Sequence, residues 1–542
     1  MKRTLVVSMI SLLCALFMTG CSGNKKEAEA KKRAAVEDSN AYLKVLPADA
    51  LMMAKVDVGN LLGKSEILDN TVVKTGFASV VEFVPENMQA LLKKIYSDPK
   101  KSGVDVTKPV FMAFTSLEPV EAVVTIAMHN VDAFEKMLTT FTDGAWKFEK
   151  RDGLKYVVID DNEIEIAYDS DKIILAFSER YANARAYAPL SAGEMAVGEK
   201  KFDPIFKGDD DVMFVVNFEP LMDVLVESGE LANVDRAYLD KYFDKNTCFN
   251  MALCFEKGYA NLKVDVNGIR EEYRKAMEHM ICAPTHRHFK YIPANCFAVM
   301  NGSYDMGKSY EEMIDSGLFT ELNDEGISND LIKEICKAIK GDITFALWTN
   351  GENVEDIQFM AAADCNDRSV FDMLISFIKS EFDATMLNGD LFALNVNRSL
   401  EYNYYTNDYE YVKNGNDYYL MYKDGAIMVM PDNIYREIEN DGELTPLNRN
   451  LESNRVFASM SENIIVDMNK MADVASLMVR NDDSATDDDR IAVEVLEMLK
   501  SLTISAEACS VDVRLNLNDS SANSLKVIVD KAISLAMQNI GF

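Results

Sequence analysis

Leu46-Pro47-Ala48-Asp49-Ala50-Leu51-Met52-Met53-Ala54 is answered in the second half of the chain by Ile292-Pro293-Ala294-Asn295-Cys296-Phe297-Ala298-Val299-Met300. In each stretch a proline-led turn feeds an apolar run of strand length. Gly-Lys-Ser follows each shortly afterwards, at 63–65 and 307–309. Three further matches keep the same order. Phe134-Glu135-Lys136-Met137-Leu138 resembles Phe371-Asp372-Met373-Leu374. Ala167-Tyr168-Asp169 before Ile173-Ile174-Leu175 resembles Met421-Tyr422-Lys423 before Ile427-Met428-Val429. Leu262-Lys263-Val264 resembles Leu525-Lys526-Val527. Together these read as two copies of one unit, changing over near 281–289. The expected domains are a first repeat over 41–285 and a second over 286–542.

Each copy mixes element types. Leu154–Ile159 and Ile164–Tyr168 are rich in strand formers and flank Asp161-Asn162, which predicts a hairpin. Val131–Leu138 has helical spacing of its apolar positions. Ile269–Met277 predicts a charged helix with Ile269, Tyr273, Ala276 and Met277 on one face. The expected class is α+β: two homologous repeats, each a mainly antiparallel sheet with packed helices.

The beginning of the chain reads as an address. Met1-Lys2-Arg3 precedes an apolar stretch from Leu5 to Met18, and Leu16-Phe17-Met18-Thr19-Gly20 leads into Cys21. That layout predicts a lipoprotein signal peptide over 1–20, cut before Cys21, whose thiol carries the lipid. The apolar stretch is too short to span a bilayer. Acylated Cys21 is therefore the expected attachment to membrane lipid. Residues 22–40, SGNKKEAEAKKRAAVEDSN, hold almost no core-forming side chains and predict a tether spanning roughly 25 Å. Its basic residues lie where anionic headgroups would attract them.

The formal charge of the 542 residues is −32. That excludes nucleic acid as a partner, since lysine and arginine must neutralise phosphates. Beyond Cys14 and Cys21 the cysteines are Cys248, Cys254, Cys282, Cys296, Cys336, Cys365 and Cys509. An odd set without regular spacing predicts buried thiols rather than a disulfide framework. Cys248 and Cys254 share parity on an expected strand.

Four motifs bear on chemistry. Gly302-Ser303-Tyr304-Asp305-Met306-Gly307-Lys308-Ser309 has phosphate-loop spacing, and Gln358–Asp364 offers an apolar strand ending in an aspartate. Asp305 places negative charge where phosphates would sit. Ser309 with Glu312 reads instead as a capping box at a helix start, so no cofactor is expected. His279, Cys282, His286 and His288 cluster as candidate metal ligands, but their spacing fits no standard zinc module. They read as solvated linker residues, with no metal. Asp482, Asp483 and Asp487 to Asp489 precede a helix expected over 490–500 and lack the glycine turn of a calcium loop. Eight tyrosines between Tyr402 and Tyr422 predict a hairpin turning at Asn414-Gly415, with Tyr404 and Tyr409 as a possible binding face. A Gly-x-Ser-x-Gly elbow, His-Glu-x-x-His and Cys-x-x-Cys are all missing, and His129 is the one histidine outside the linker cluster.

The Pro-Ala-Asp or Pro-Ala-Asn opener, the strand after it and the Lys-Ser helix start resemble a family of uncharacterised lipoproteins from gut-dwelling Gram-negative bacteria. The resemblance covers most of the chain after residue 20 and transfers no catalytic residue. It implies an outer-membrane lipoprotein. Ser22-Gly23-Asn24-Lys25-Lys26, lacking acidic residues, implies the periplasmic face. The expected function is non-enzymatic binding or scaffolding in the cell envelope, with an envelope protein or glycan as partner. The alternative is an envelope hydrolase whose site assembles in space.

Overall fold

Pro47 and Pro293 each close a turn, with the Ala50 amide donating to Pro47 O and the Cys296 amide to Pro293 O. The strands that follow, β1 (Met52–Val56) and β11 (Ala298–Asp305), are each hydrogen-bonded on both edges. The computed structural model describes residues 41–117, 119–159, 163–227, 243, 246–315, 329–349, 356–381, 384–394, 398–403, 408–413, 418–439, 462–481, 484–507 and 509–540. Cys21 and the tether lie outside these residues. By packing, the chain divides into two units. Described residues up to 227, within 244–268 and from 519 onward form the first, and those within 231–243 and 269–518 form the second.

The first unit contains β1, β2 (Val110–Leu117), β3 (Val120–Ala127), β4 (Glu149–Arg151), β5 (Leu154–Ile159), β6 (Ile164–Tyr168), β7 (Lys172–Ser178), β8 (Val212–Asn217), β9 (Cys248–Glu256) and β10 (Tyr259–Asn267). They pair antiparallel in the order β4-β5-β6-β7-β3-β2-β1-β8-β9-β10. The hairpin expected over 154–168 is β5–β6. Its helices are α1 (Val58–Ser65), α2 (Thr71–Val81), α3 (Glu86–Ser97), α4 (Val131–Phe141), α5 (Asp203–Lys207) and α6 (Phe218–Glu227).

Both faces of this sheet are covered, so its inner strands read as continuous apolar runs. Val123, Ala127, Ile174 and Ala176 face one core with Leu43, Leu46 and Phe202. Val124, Ile126, Ile173 and Leu175 face the other, under Leu92 and Ile95 of α3 and Phe134, Met137 and Leu138 of α4. The helical spacing at Val131–Leu138 is the record of that second core.

The second unit contains α7 (Glu271–Met280), β11, α8 (Met306–Asp315), α9 (Asn329–Ala338), β12 (Ile339–Thr349), β13 (Ile357–Cys365), α10 (Arg368–Glu381), β14 (Ala384–Asn388), β15 (Leu391–Leu394), β16 (Arg398–Asn403) and β17 (Asp408–Lys413). It continues through β18 (Tyr418–Lys423), β19 (Ala426–Pro431), α11 (Asp432–Glu439), β20 (Glu462–Asp467), α12 (Met468–Asn481), α13 (Asp487–Leu496), β21 (Leu499–Glu507) and β22 (Ser510–Leu517). Its sheet is again antiparallel, in the order β14-β15-β18-β19-β13-β12-β11-β20-β21-β22. Position by position this is the order of the first unit. The hairpin β16–β17 is an addition between β15 and β18. Phe371 and Ile375 of α10 cover one face of the sheet, as α4 does in the first unit.

The unit bounds differ from the expected 41–285 and 286–542. The helix after β10, α7, belongs to the second unit, and the helix after β22, α14 (Ser524–Ile540), belongs to the first. There Lys526 pairs with Glu66 at 3.1 Å and Asn70 donates to Asp530 at 2.9 Å. Local sequence carries no signal for this reassignment, because the contacts join residues hundreds of positions apart.

Trp348 is fully buried in the second unit, and its indole donates to Gln358 Oε1 at 3.0 Å. Trp348→Ala should cost about 3–5 kcal/mol in urea unfolding. Trp348→Phe should cost less, since Asn433 also donates to Gln358, at 3.1 Å. Equal losses for the two substitutions would contradict this packing.

Candidate functional site

The segment expected to be a solvated linker is docked. The Cys282 amide donates to Ser303 O at 2.9 Å, and Thr285 N–H and Oγ1 both reach the buried Asp342 carboxylate. The chain then enters a 3-10 helix, Arg287–Tyr291, which turns Arg287 and His288 towards the end of β13. There Asp364 closes the apolar run that the sequence marked. Its partner is not a metal beside a nucleotide but His288, whose Nε2 lies 2.8 Å from Oδ1, together with Arg287. The Asp342 amide, freed by a β-bulge between Ile339 and Ile343, donates to Asp364 Oδ2 at 2.9 Å.

Two backbone positions make this possible. Gly341 has φ +130°, and a Cβ there would lie 2.2 Å from Asp364 Oδ2. Asp424 and Gly425 both have positive φ and form the two-residue turn between β18 and β19. Their carbonyls accept from Arg287 Nη1 at 3.0 Å and Nη2 at 2.7 Å. Tyr291 Oη donates to Asp424 Oδ2 at 3.2 Å. One guanidinium thus ties the 3-10 helix to a strand end and a hairpin turn.

Burial pushes the Asp364 carboxyl up, but the His288 ring, the Asp342 amide and the Arg287 guanidinium outweigh it. Its pKa falls below the ordinary carboxylate value. His288 is 1 % exposed. A general base must reach the proton it takes, directly or through one water, and this ring is enclosed. The Asp–His pair therefore acts here as a buried clamp.

The other sequence candidates are dispersed. His279 is exposed in the last turn of α7, and His286 lies 3.5 Å from Asn301 Nδ2 and packs beside Phe289. Cys282 is half-buried. Among the described residues, no three histidine, cysteine, aspartate or glutamate side chains gather as a metal site. The phosphate-loop reading meets a strand. Gly302 to Asp305 continue β11, and a Cβ on Gly302 would strike the Tyr304 ring. Asp305, not Ser309, caps α8: its carboxylate accepts from the Lys308 amide at 3.3 Å, and Ser309 Oγ donates to Asp305 O. Likewise Thr486 caps α13, with Asp487 to Asp489 in its first turn, and the helix ends at Leu496 rather than 500. Asp482 and Asp483 lie outside the described residues.

Tyr409 stands on β17 opposite Tyr402, and Tyr404 lies outside the described residues. β17 pairs with β16, and β18 with β15 and β19; the turn expected at Asn414-Gly415 lies outside the described residues. All seven described cysteines are free thiols whose pKa values burial raises, to about 11 for Cys254 and Cys296. Buried Cys248 packs in the first unit's core, whereas Cys254, of the same strand parity, is half-buried and lies outside that cluster.

Sequence reasoning did not single out the first unit's buried carboxylates. Glu165 accepts a two-pronged bond from Arg185, which also covers the Tyr156 ring. Asp211 accepts from Lys64 Nζ and the Phe255 amide, both at 2.7 Å. An open depression between α12 and α13 is lined by Ser476, Arg480, Arg490 and Glu494.

Asp364 supplies a direct test. A carboxylate with a lowered pKa stabilises the fold above its unfolded value, about 3.9, and that stability is lost as pH falls through the lower folded value. Asp364→Asn should lose about 2–3 kcal/mol at pH 7, discounted because Arg287 is partly exposed. Urea unfolding should show the gap to the unaltered protein closing below pH 4. A gap that stays constant to pH 2 would contradict the charged clamp.

No curated protein matches this chain. Among solved structures, crystal form IV of TP0453 aligns at 14 % identity and a TM-score of 0.24, covering 41 % of this chain and 79 % of that one. Crystal form III of TP0453 aligns at 14 % identity and a TM-score of 0.24, covering 44 % and 88 %. Likeness at that level does not carry a fold across. A family model described as "Domain of unknown function (DUF4836)" matches residues 42–437, and the chain belongs to that family.

Proposed function

We propose that this is a lipid-anchored protein of the cell envelope that binds or scaffolds a partner rather than transforming a substrate. The observation that carries the reading is the state of its chemistry-bearing groups. Asp364 is spent on Arg287, on the Asp342 amide and on the adjacent His288, whose ring is enclosed. The thiols are held protonated by burial. Among the described residues no helix is long and apolar enough to cross a membrane. In this reading attachment falls to acylated Cys21, on the periplasmic face of the outer membrane.

The two units are, in this reading, copies of one ancestral unit. Two features support it beyond the opener motif. The strand orders coincide at all ten positions. The main-chain bonds around the opener also recur: Leu51 donates to Phe114 O and Asn217 to Leu51 O in one unit, Phe297 to Leu347 O and Asp467 to Phe297 O in the other. Two similar scaffolds differing in their added parts suit a protein that presents surfaces.

Cross-linking of the full-length protein in its native membranes, with partners identified by mass spectrometry, tests the proposal. It predicts a reproducible envelope protein or glycan partner that is lost with Cys21→Ser. No partner above background, or capture unchanged by Cys21→Ser, would contradict it.

A further inference from the structure

The first unit carries an apolar helix that is docked by one side only. On α2, Phe77 stacks on Tyr96 of α3 with ring centroids 4.1 Å apart, and Val81 is fully buried. The opposite stripe faces outward. Val72 is 40 % exposed, Val80 63 % and Phe83, just past the helix end, 90 %. Gly76 lies on the same stripe, at helical spacing from Val72 and Val80. An exposed phenylalanine beside exposed valines is the kind of patch that marks an interaction site.

Two features say what covers it. Two of the three hydroxyls on this helix are turned back into it: Thr75 Oγ1 donates to Thr71 O at 2.9 Å and Ser79 Oγ to Thr75 O at 3.1 Å. Their polar hydrogens are thereby satisfied without water, as a surface entering a low-dielectric layer requires. The charge is also out of character. The chain carries −32 overall, yet residues 71–81 contain no acidic side chain, and 71–101 hold Lys74, Lys93, Lys94, Lys100 and Lys101 against Glu82, Glu86 and Asp98, with Lys74 paired to Asp69 at 3.1 Å and Lys101 3.8 Å from Asp98. Apolar side chains with flanking lysines fit the boundary between headgroups and acyl chains of an anionic bilayer.

We propose that the outer stripe of α2, ending at Phe83, is a second membrane contact that lies in the interface of an anionic bilayer. It rests on the reading that the chain is held at a membrane. The lipid would supply the first attachment, and this stripe would set the orientation of the first unit on the surface.

The test uses the chain from residue 21 onward carrying Cys21→Ser, so that no acyl chain contributes. Phe83→Trp reports on the patch, with vesicles of phosphatidylcholine and phosphatidylglycerol containing doxyl-labelled lipid. The proposal predicts a blue shift and doxyl quenching of the added indole. It also predicts that Val80→Asp, at an exposed position, lowers partition into these vesicles about tenfold. An indole that stays unquenched, or equal partition of Val80→Asp and the parent, overturns it. So does a blue shift that appears without lipid as protein concentration rises, which would assign the patch to a second copy. Membrane fractionation of the chain with and without Cys21 separates the two ideas. Cys21-dependent attachment without quenching overturns the α2 contact alone. Quenching without Cys21-dependent attachment supports the contact and overturns the anchoring reading.

Discussion

A strand whose amides and carbonyls are used on both edges sits behind everything else in each unit. Met52–Val56 lies between β2 and β8, and Ala298–Gly302 between β12 and β20. Buried backbone groups must find partners, so an apolar run flanked by covered faces has to be an inner strand. The proline turn before it fixes where pairing starts. Once register is set, a one-residue slip would turn every core side chain to the other face. The helices then have little choice: α4 and α10 cover corresponding faces because the strands beneath them present corresponding apolar rows.

The units part company where charge is buried. By register from the two proline turns and the paired strands, Arg287, His288 and Asp364 stand where the first unit has Ala41, Tyr42 and Ala127. One unit closes that corner with apolar and aromatic packing, the other with an ion pair whose aspartate is buried beside His288 and whose arginine is partly exposed. Burying charge is expensive unless it is paired and hydrogen-bonded, and a bulge, a positive-φ glycine and an Asp-Gly turn supply partners to Asp364 and Arg287. That is a constraint on geometry more than a source of stability. It holds the 3-10 helix, β13 and the β18–β19 turn in one arrangement.

Much of the fold was legible from local pattern. The hairpin β5–β6, the helix that begins at Val131 and the α+β class follow from periodicity and turn residues. Two departures have physical causes. Ser309 looked like a helix cap, but Asp305 reaches the free amides first while β11 is still pairing with β12 as far as Lys340. The membership of α7 and α14 is set by packing remote in sequence. Of the candidate site, His288 was visible, and Asp364 was visible for the wrong reason. Arg287 was not, because nothing local distinguishes a clamp arginine from a solvated one.

Native-state hydrogen exchange read by mass spectrometry tests most directly the claim that each unit is organised around its inner strand. The slowest amides should fall in Met52–Val56 with its neighbours β2 and β8, and in Ala298–Gly302 with β12 and β20. The exposed strands β4 and β14 should exchange far sooner. If β1 and β11 exchange as fast as β4 and β14, or if protection is confined to one unit, the account is wrong.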